Sequence, residues 1–234
     1  FVKLQTALTG GEPWTHAGIV LCVNQRRFVL ESVLAPLAQG CDVIEGAMPS
    51  RLNGSIRIFP LVERVFAYDG GASLLPLRAP LSADSEDALL RAATTIWRRN
   101  PDFDVEQLVA AGFDRMSLVR LLSGNRSEPK EDLDAFFCSE LVGHLLEVAG
   151  VLSHDVNVSK LAPNDLLSFT EVLAVEALRP IRTLPARKVL DVERHHLRVD
   201  DAIALVANLR TGDIVLVRGS HSFGAAVRIV DGGA

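Results

Sequence analysis

The chain is poor in several residue types that would point to particular functions. It has three cysteines, Cys22, Cys41 and Cys138, in 234 residues. They form no CxxC pattern and no metal-ligand spacing, which argues against a disulfide scaffold or a zinc site and fits a reducing compartment. Basic residues are in deficit: 24 Lys and Arg against 29 Asp and Glu leave a net charge of −5. With no basic stripe interleaved with aromatics, nucleic-acid binding is not expected. No apolar run reaches the roughly 18 residues of a membrane-spanning helix, so no integral membrane segment is expected. No signal peptide, low-complexity tract or long-period repeat is visible, and a cytoplasmic setting is the expectation. The chain opens on Phe1 and not on Met, so the expectation is a processed product, a fragment or an incomplete chain. What the chain does have is apolar content, 48% of its residues, enough for a sizeable core without covalent staples.

The most informative stretch is Phe136-Phe137-Cys138-Ser139-Glu140-Leu141-Val142-Gly143-His144-Leu145-Leu146-Glu147-Val148-Ala149-Gly150. Leu141, Leu145, Val148 and Ala149 recur at helical spacing, and Gly150 can take the left-handed conformation that ends helices. Cys138 therefore falls at or just before the first turn. Unpaired backbone N–H groups there favour negative charge, so a thiol loses its proton more readily. Taken alone, the stretch also fits a buried core cysteine at a helix start.

Upstream, a possible short helix over 1–8 ends at Thr9-Gly10-Gly11. Thr15–Val23 then reads as a buried strand, Asn24-Gln25-Arg26 as a turn, and Arg27–Ser32 as the returning strand of a hairpin. His16 opens the first strand and Glu31 lies near the end of the second, so the hairpin brings them close. Further short strands are expected over Cys41–Glu45 and Ser55–Phe59. Ser82–Asn100 reads as a helix, acidic at its start and basic at its end, broken by Pro101. A second helical stretch is expected over Asp104–Leu122 and a polar loop, a candidate lid, over Ser123–Asp134. Asp200–Leu209 reads as a short helix, and Leu209–Gly219 as a turn feeding a β-prone strand.

A thiol nucleophile needs a base, and the base needs an orienting group. Cys138, His16 and Glu31 are of those three types. Singly, each has an ordinary explanation: a structural histidine, a solvated strand-end charge, a core cysteine. Cys22 and Cys41 read as structural. Asp213 reads as a turn residue. His195-His196 lacks the companions of a metal set, and Trp14 either lines a cleft or packs.

Trp14-Thr15-His16-Ala17-Gly18-Ile19-Val20, Val29-Leu30-Glu31-Ser32 and Phe137-Cys138-Ser139-Glu140-Leu141-Val142, in that order, resemble the permuted papain-like branch of the NlpC-type cysteine hydrolases. That branch includes the YiiX-like proteins and the lecithin:retinol acyltransferase group. Asn100-Pro101-Asp102-Phe103-Asp104 and Ala162-Pro163-Asn164-Asp165-Leu166 resemble two further elements of the family, and the core motifs span residues 10–170. The resemblance implies an α+β fold, with a small antiparallel sheet or half-barrel packed on the cysteine-bearing helix. It implies a single domain over 1–234. Cys138 would be the nucleophile, His16 the general base and then acid, and Glu31 the orienting group. Ser139 and Trp14 would lie near the site, with backbone N–H groups at the Cys138-Ser139 turn serving the oxyanion. No cofactor and no metal are implied. The substrate would be a peptide, a peptidoglycan fragment or an acyl-lipid, cut through a thioester, with peptide or amide hydrolysis favoured.

One element is out of place. The family's Leu-x-x-Gly-Asp-Ile-x-Leu strand, normally ahead of the histidine strand, corresponds here to Leu209–Leu216 near the far end. A circular permutation, a second copy of the domain and segments numbered out of natural order each account for it. The first and third predict that residues 209–218 complete the sheet beside the His16 strand and that the termini lie near each other. The competing functional reading is a catalytically idle module that binds a peptide or lipid or serves a larger assembly. A redox-sensing thiol is a third, with Cys22 as the resolving partner. Substrate identity and oligomeric state stay open.

Overall fold

The computed structural model describes residues 14–33, 55–67, 70–102, 136–182 and 208–219. These contain a six-stranded antiparallel sheet with helices packed on it, an α+β arrangement. In chain order the elements are β1 (His16–Val23), β2 (Arg26–Ser32), β3 (Ile56–Pro60), α1 (Leu61–Ala67), β4 (Gly70–Leu75), α2 (Ala83–Arg99), α3 (Cys138–Val148), β5 (Arg179–Arg182) and β6 (Ile214–Gly219). Three short 3-10 turns lie between α3 and β5.

The sheet order is β3-β2-β1-β6-β4-β5. The β1–β2 hairpin turns on Asn24 and Gln25, both at positive φ (49° and 63°), with Val23 opposite Arg26. Two left-handed residues in sequence match the twist of the flanking strands. On the other side of β1, His16 lies opposite Val217 and Ile19 opposite Ile214. The far-end strand thus completes the sheet beside the His16 strand, as the sequence predicts. Its entry turn is held by Asp213, whose carboxylate accepts from the N–H groups of Leu77 and Arg210, each at 2.9 Å. Asp213 is therefore a turn residue, as expected.

Alternation along the strands divides two apolar clusters. Ala17, Ile19, Leu21, Leu30 and Ile58 pack with Leu89, Ala93 and Trp97 of α2 and with Leu141, Val142 and Leu145 of α3. The opposite parity, Val20, Val29, Phe59, Leu74, Val215 and Val217, packs with Leu61 and Val65 of α1. Helix α1 meets β2 and β3 and also β5 at the other end of the strand order, so the sheet curls around this second cluster. Helix α2 runs between the predicted ends. Ser82 caps it through its hydroxyl, 3.1 Å from the N–H of Ser85, and Asn100 closes it in the left-handed conformation at φ 45°.

Three elements are absent from the sequence reading and a fourth is shifted. Helix α1, β4 and β5 are unanticipated: Gly70-Gly71 reads as a loop, β5 carries Pro180, and α1 has only seven residues after Pro60. The third strand spans Ile56–Pro60, shifted by one residue from Ser55–Phe59. The expectations for residues 1–8, 41–45, 104–122, 123–134, 195–196 and 200–207, and for the proximity of the termini, lie outside the described residues.

Candidate active site

Helix α3 begins at Cys138 itself. Phe137 at the N-cap is extended and has no side-chain acceptor to offer, but Glu140 reaches back, its Oε2 3.2 Å from the Phe137 N–H. That contact satisfies a donor just before the helix and places a carboxylate in its first turn. The helix ends at Val148 with Ala149 as its C-cap, followed by Gly150 at φ 70°.

Cys138 is buried, 2% exposed, and accepts hydrogen bonds on sulfur from the backbone N–H groups of Ala17 and Ser139. Its thiol also hydrogen-bonds the His16 side chain. The helix N-terminus therefore meets β1 at its first two residues. His16 Nε2 faces Glu31 Oε2 at 3.3 Å. The three residues singled out in the sequence are thus in contact in the order thiol, imidazole, carboxylate.

Gly18 makes this possible. It shares a strand face with His16, and a Cβ on it would come within 2.7 Å of Val29 Cγ2 and 2.9 Å of Glu31 Cγ. The Glu31 side chain lies over the glycine and reaches diagonally along the ladder to the imidazole. A further residue joins from α1. Arg64 places Nη2 at 2.8 Å and Nε at 3.0 Å from the same Glu31 oxygen, Oε2, while its guanidinium stacks on Phe59 at 4.3 Å. Arg64 has no motif around it to mark it in the sequence. The available signal is indirect: a fully buried carboxylate such as Glu31 requires a cation.

The electrostatics follow from burial and these contacts. Burial lowers the His16 pKa, but the Cys138 thiolate and then Glu31 outweigh it and raise it to about 10. Burial raises the Cys138 pKa, and the His16 charge and hydrogen bond, with the two backbone donors, bring it below the usual thiol range. For Glu31, burial is again opposed, by His16 first and Arg64 second, and the pKa falls to about 2. These contacts all favour the charged forms, thiolate, imidazolium, carboxylate and guanidinium in a row. The imidazole is 17% exposed and the Glu31 carboxylate 0%, so the row opens to solvent on its histidine and arginine members.

Comparisons with protein-family models, curated proteins and solved structures find no match to this chain.

The two residues expected near the site have defined places. The Ser139 hydroxyl donates to Leu161 O at 2.7 Å and so ties α3 to the turn behind it. The part of Ser139 that meets the sulfur is its backbone N–H. Trp14, two residues before His16, is 5% exposed and packs in the main cluster, with the Arg218 guanidinium 5.6 Å from its ring. The Trp14 backbone N–H donates to Asn164 Oδ1 at 3.1 Å, while Asp165 caps its own turn through Ala162 N–H at 2.9 Å. The 162–166 stretch thus docks against the segment leading into His16. On the other side of the cysteine, Pro101 O accepts from Ser55 and Asp102 O accepts from the Phe136 N–H at 3.1 Å. His144 stacks at a tilt on Phe136, its ring centroid 5.6 Å away. Cys22 sits six residues along β1 from His16, about 20 Å of strand, its Sγ 3.5 Å from Leu209 O. That distance from the start of β1 removes it as a resolving partner. No cluster of metal-ligating side chains occurs among the described residues.

Proposed function

We propose that this chain is a cysteine hydrolase or acyltransferase of the permuted papain-like, NlpC type, working through a thioester on Cys138. The observation that carries the reading is the hydrogen bond between the Cys138 thiol and an imidazole that itself faces a buried carboxylate 3.3 Å away. A buried thiol at a helix start is common; one already joined to an oriented imidazole is the arrangement nucleophilic catalysis requires.

In this reading the Cys138 sulfur attacks the carbonyl carbon of an amide, ester or thioester. The C–S bond forms and the carbonyl π electrons move to oxygen. The imidazolium of His16 then gives its proton to the leaving amine, alkoxide or thiolate as the bond to carbon breaks, which leaves an acyl-thioester and a neutral imidazole. Water attacks the thioester with His16 taking its proton, the C–S bond breaks, and the acid departs from a restored thiolate–imidazolium pair. A second amine or alcohol in place of water makes the same site a transferase. Glu31 holds the ring and favours its cationic form throughout. The α3 N-terminus favours the developing oxyanion. Amide-bond hydrolysis on peptide substrates is the favoured case.

The burial of Cys138 itself, 2% exposed, favours a second reading as an idle binding module. Labelling separates the two. With iodoacetamide, Cys138 should react much faster than Cys22 or Cys41, along a pH profile whose midpoint lies below 9, as mapped by peptide mass spectrometry. An activated acyl ester should add one acyl mass to the native chain and none to Cys138→Ala. Equal, slow labelling of all three thiols, with no acyl adduct, would establish the idle module.

A further inference from the structure

The site has a member that the nucleophile–base–acid scheme does not use. Arg64 donates through Nε at 3.0 Å and Nη2 at 2.8 Å to Glu31 Oε2, the oxygen that faces His16 Nε2 at 3.3 Å. Three donors converge on one carboxylate oxygen, from α1 on one side and β1 on the other. Arg64 is itself fixed, stacked on Phe59 at 4.3 Å and mostly covered. A rigid fork held on a ring fixes a carboxylate in a way a flexible ammonium does not.

Charge gives the second argument. A buried carboxylate next to His16 stabilises the imidazolium but also repels the Cys138 thiolate. The Arg64 guanidinium cancels that repulsion, and the four groups sum to zero, an arrangement that a low-dielectric site favours over a net charge. Among the described residues, other charged groups on the packed elements have contacts away from Glu31 Oε2 or face solvent. Arg57, opposite Glu31 in the ladder, donates to Ile56 O at 2.9 Å and contacts Asn100 Oδ1 at 3.4 Å. Glu140 holds the Phe137 N–H, Arg218 lies over Trp14, and Glu63 on α1 is exposed.

We propose that Arg64 is a positioning residue of this site: it pins Glu31 Oε2 against the His16 ring and neutralises the carboxylate so that the thiolate is not repelled. The inference rests on the cysteine-hydrolase reading and extends it to a residue outside the motifs. Its sign is defined. Loss of the guanidinium removes a positive neighbour from the thiolate and from the imidazolium alike. Thiolate formation then needs higher pH, and the imidazolium holds its proton to higher pH, so both limits of the reactive range move in the alkaline direction.

The test is the pH dependence of Cys138 alkylation by iodoacetamide in the full chain, for wild type, Arg64→Met and Arg64→Lys, with thermal melting as the check on folding. Arg64→Met should move the acid-side midpoint up by about one pH unit, which makes labelling about tenfold slower at a pH below both midpoints. Arg64→Lys keeps the charge without the fork, and its midpoint should fall between the other two. A folded Arg64→Met variant with the wild-type midpoint would overturn the inference. Should Arg64→Met not fold, Arg64→Lys decides: a wild-type midpoint overturns the proposal and an intermediate one sustains it. A wild-type protein whose Cys138 has no midpoint below 9 would instead remove the hydrolase reading itself.

Discussion

At the scale of single residues, the site depends on opposing effects of similar kind. Burial pushes each of Cys138, His16 and Glu31 toward its neutral form, and their mutual contacts push back further. Breaking one contact therefore leaves the other groups with the cost of burial less opposed. Glu31→Gln should destabilise the fold by about 3–5 kcal/mol, because Arg64 and His16 lose their buried counter-ion. The pH dependence follows from the sign of each shift. The Glu31 pKa lies below its ordinary 4.5, at about 2, so the stability it contributes is present above 4.5 and lost as pH falls toward 2. The His16 pKa is raised from 6.5 to about 10, so its contribution is complete below 6.5 and lost as pH rises through 10. Melting temperature measured across the acid range should fall steeply in wild type between pH 4.5 and 2, with a shallower slope in Glu31→Gln. Activity should follow a bell whose alkaline limb lies near 10 and whose acid limb lies below 9.

At the scale of elements, the local signals that held were those with a backbone reason behind them. Ser82 and Asn100 bound helix α2 because a hydroxyl can satisfy a free N–H and an asparagine tolerates positive φ. The β1–β2 hairpin and the start of α3 at Cys138 follow from comparable chemistry. What escaped was set by tertiary contact. Strand β4 opens on two glycines and has no alternation to show, yet it pairs with β6 along its whole length, from Gly70–Gly219 to Leu75–Ile214. Arg64 sits in a helix too short to have a readable face, and only the folded sheet brings it to Glu31. The motif residues of the candidate site are readable for the opposite reason: each stands at the end of a regular element, where a side chain has a defined direction. The start of α3 gives a test at this scale. Glu140→Ala frees the Phe137 N–H and should cost about 1 kcal/mol. It should also loosen the first turn, seen as faster amide exchange at residues 137–139 with a smaller loss of cysteine reactivity than Glu31→Gln causes.

At the scale of the whole molecule, β6 decides the architecture. It lies in the middle of the sheet, between β1 and β4, although it is the last strand in the described chain. Removing residues 209–234 would strip the ladder from both neighbours, and the truncated chain should show no cooperative melting transition. The register makes a complementary prediction. Val217 lies opposite His16, so the end of β6 adjoins the beginning of β1, as in a hairpin. A rearranged protein in which residues 208–219 are joined by a short linker to the segment before Trp14, and removed from their present place, should melt cooperatively and keep fast, pH-dependent labelling of Cys138.

The same strand bears on how the protein is made. Thr15 hydrogen-bonds to Val217 O across 202 positions of sequence. At translation rates of roughly 5–20 residues per second, the histidine strand waits on the order of 10–40 s for its neighbour to leave the ribosome. Throughout that interval β1 and β4 have open edges of the kind that recruit foreign strands. The nascent chain is then both unable to form its histidine–thiol contact in the finished sheet and at its most prone to aggregate, a hazard that a chaperone would relieve and that slow translation would prolong.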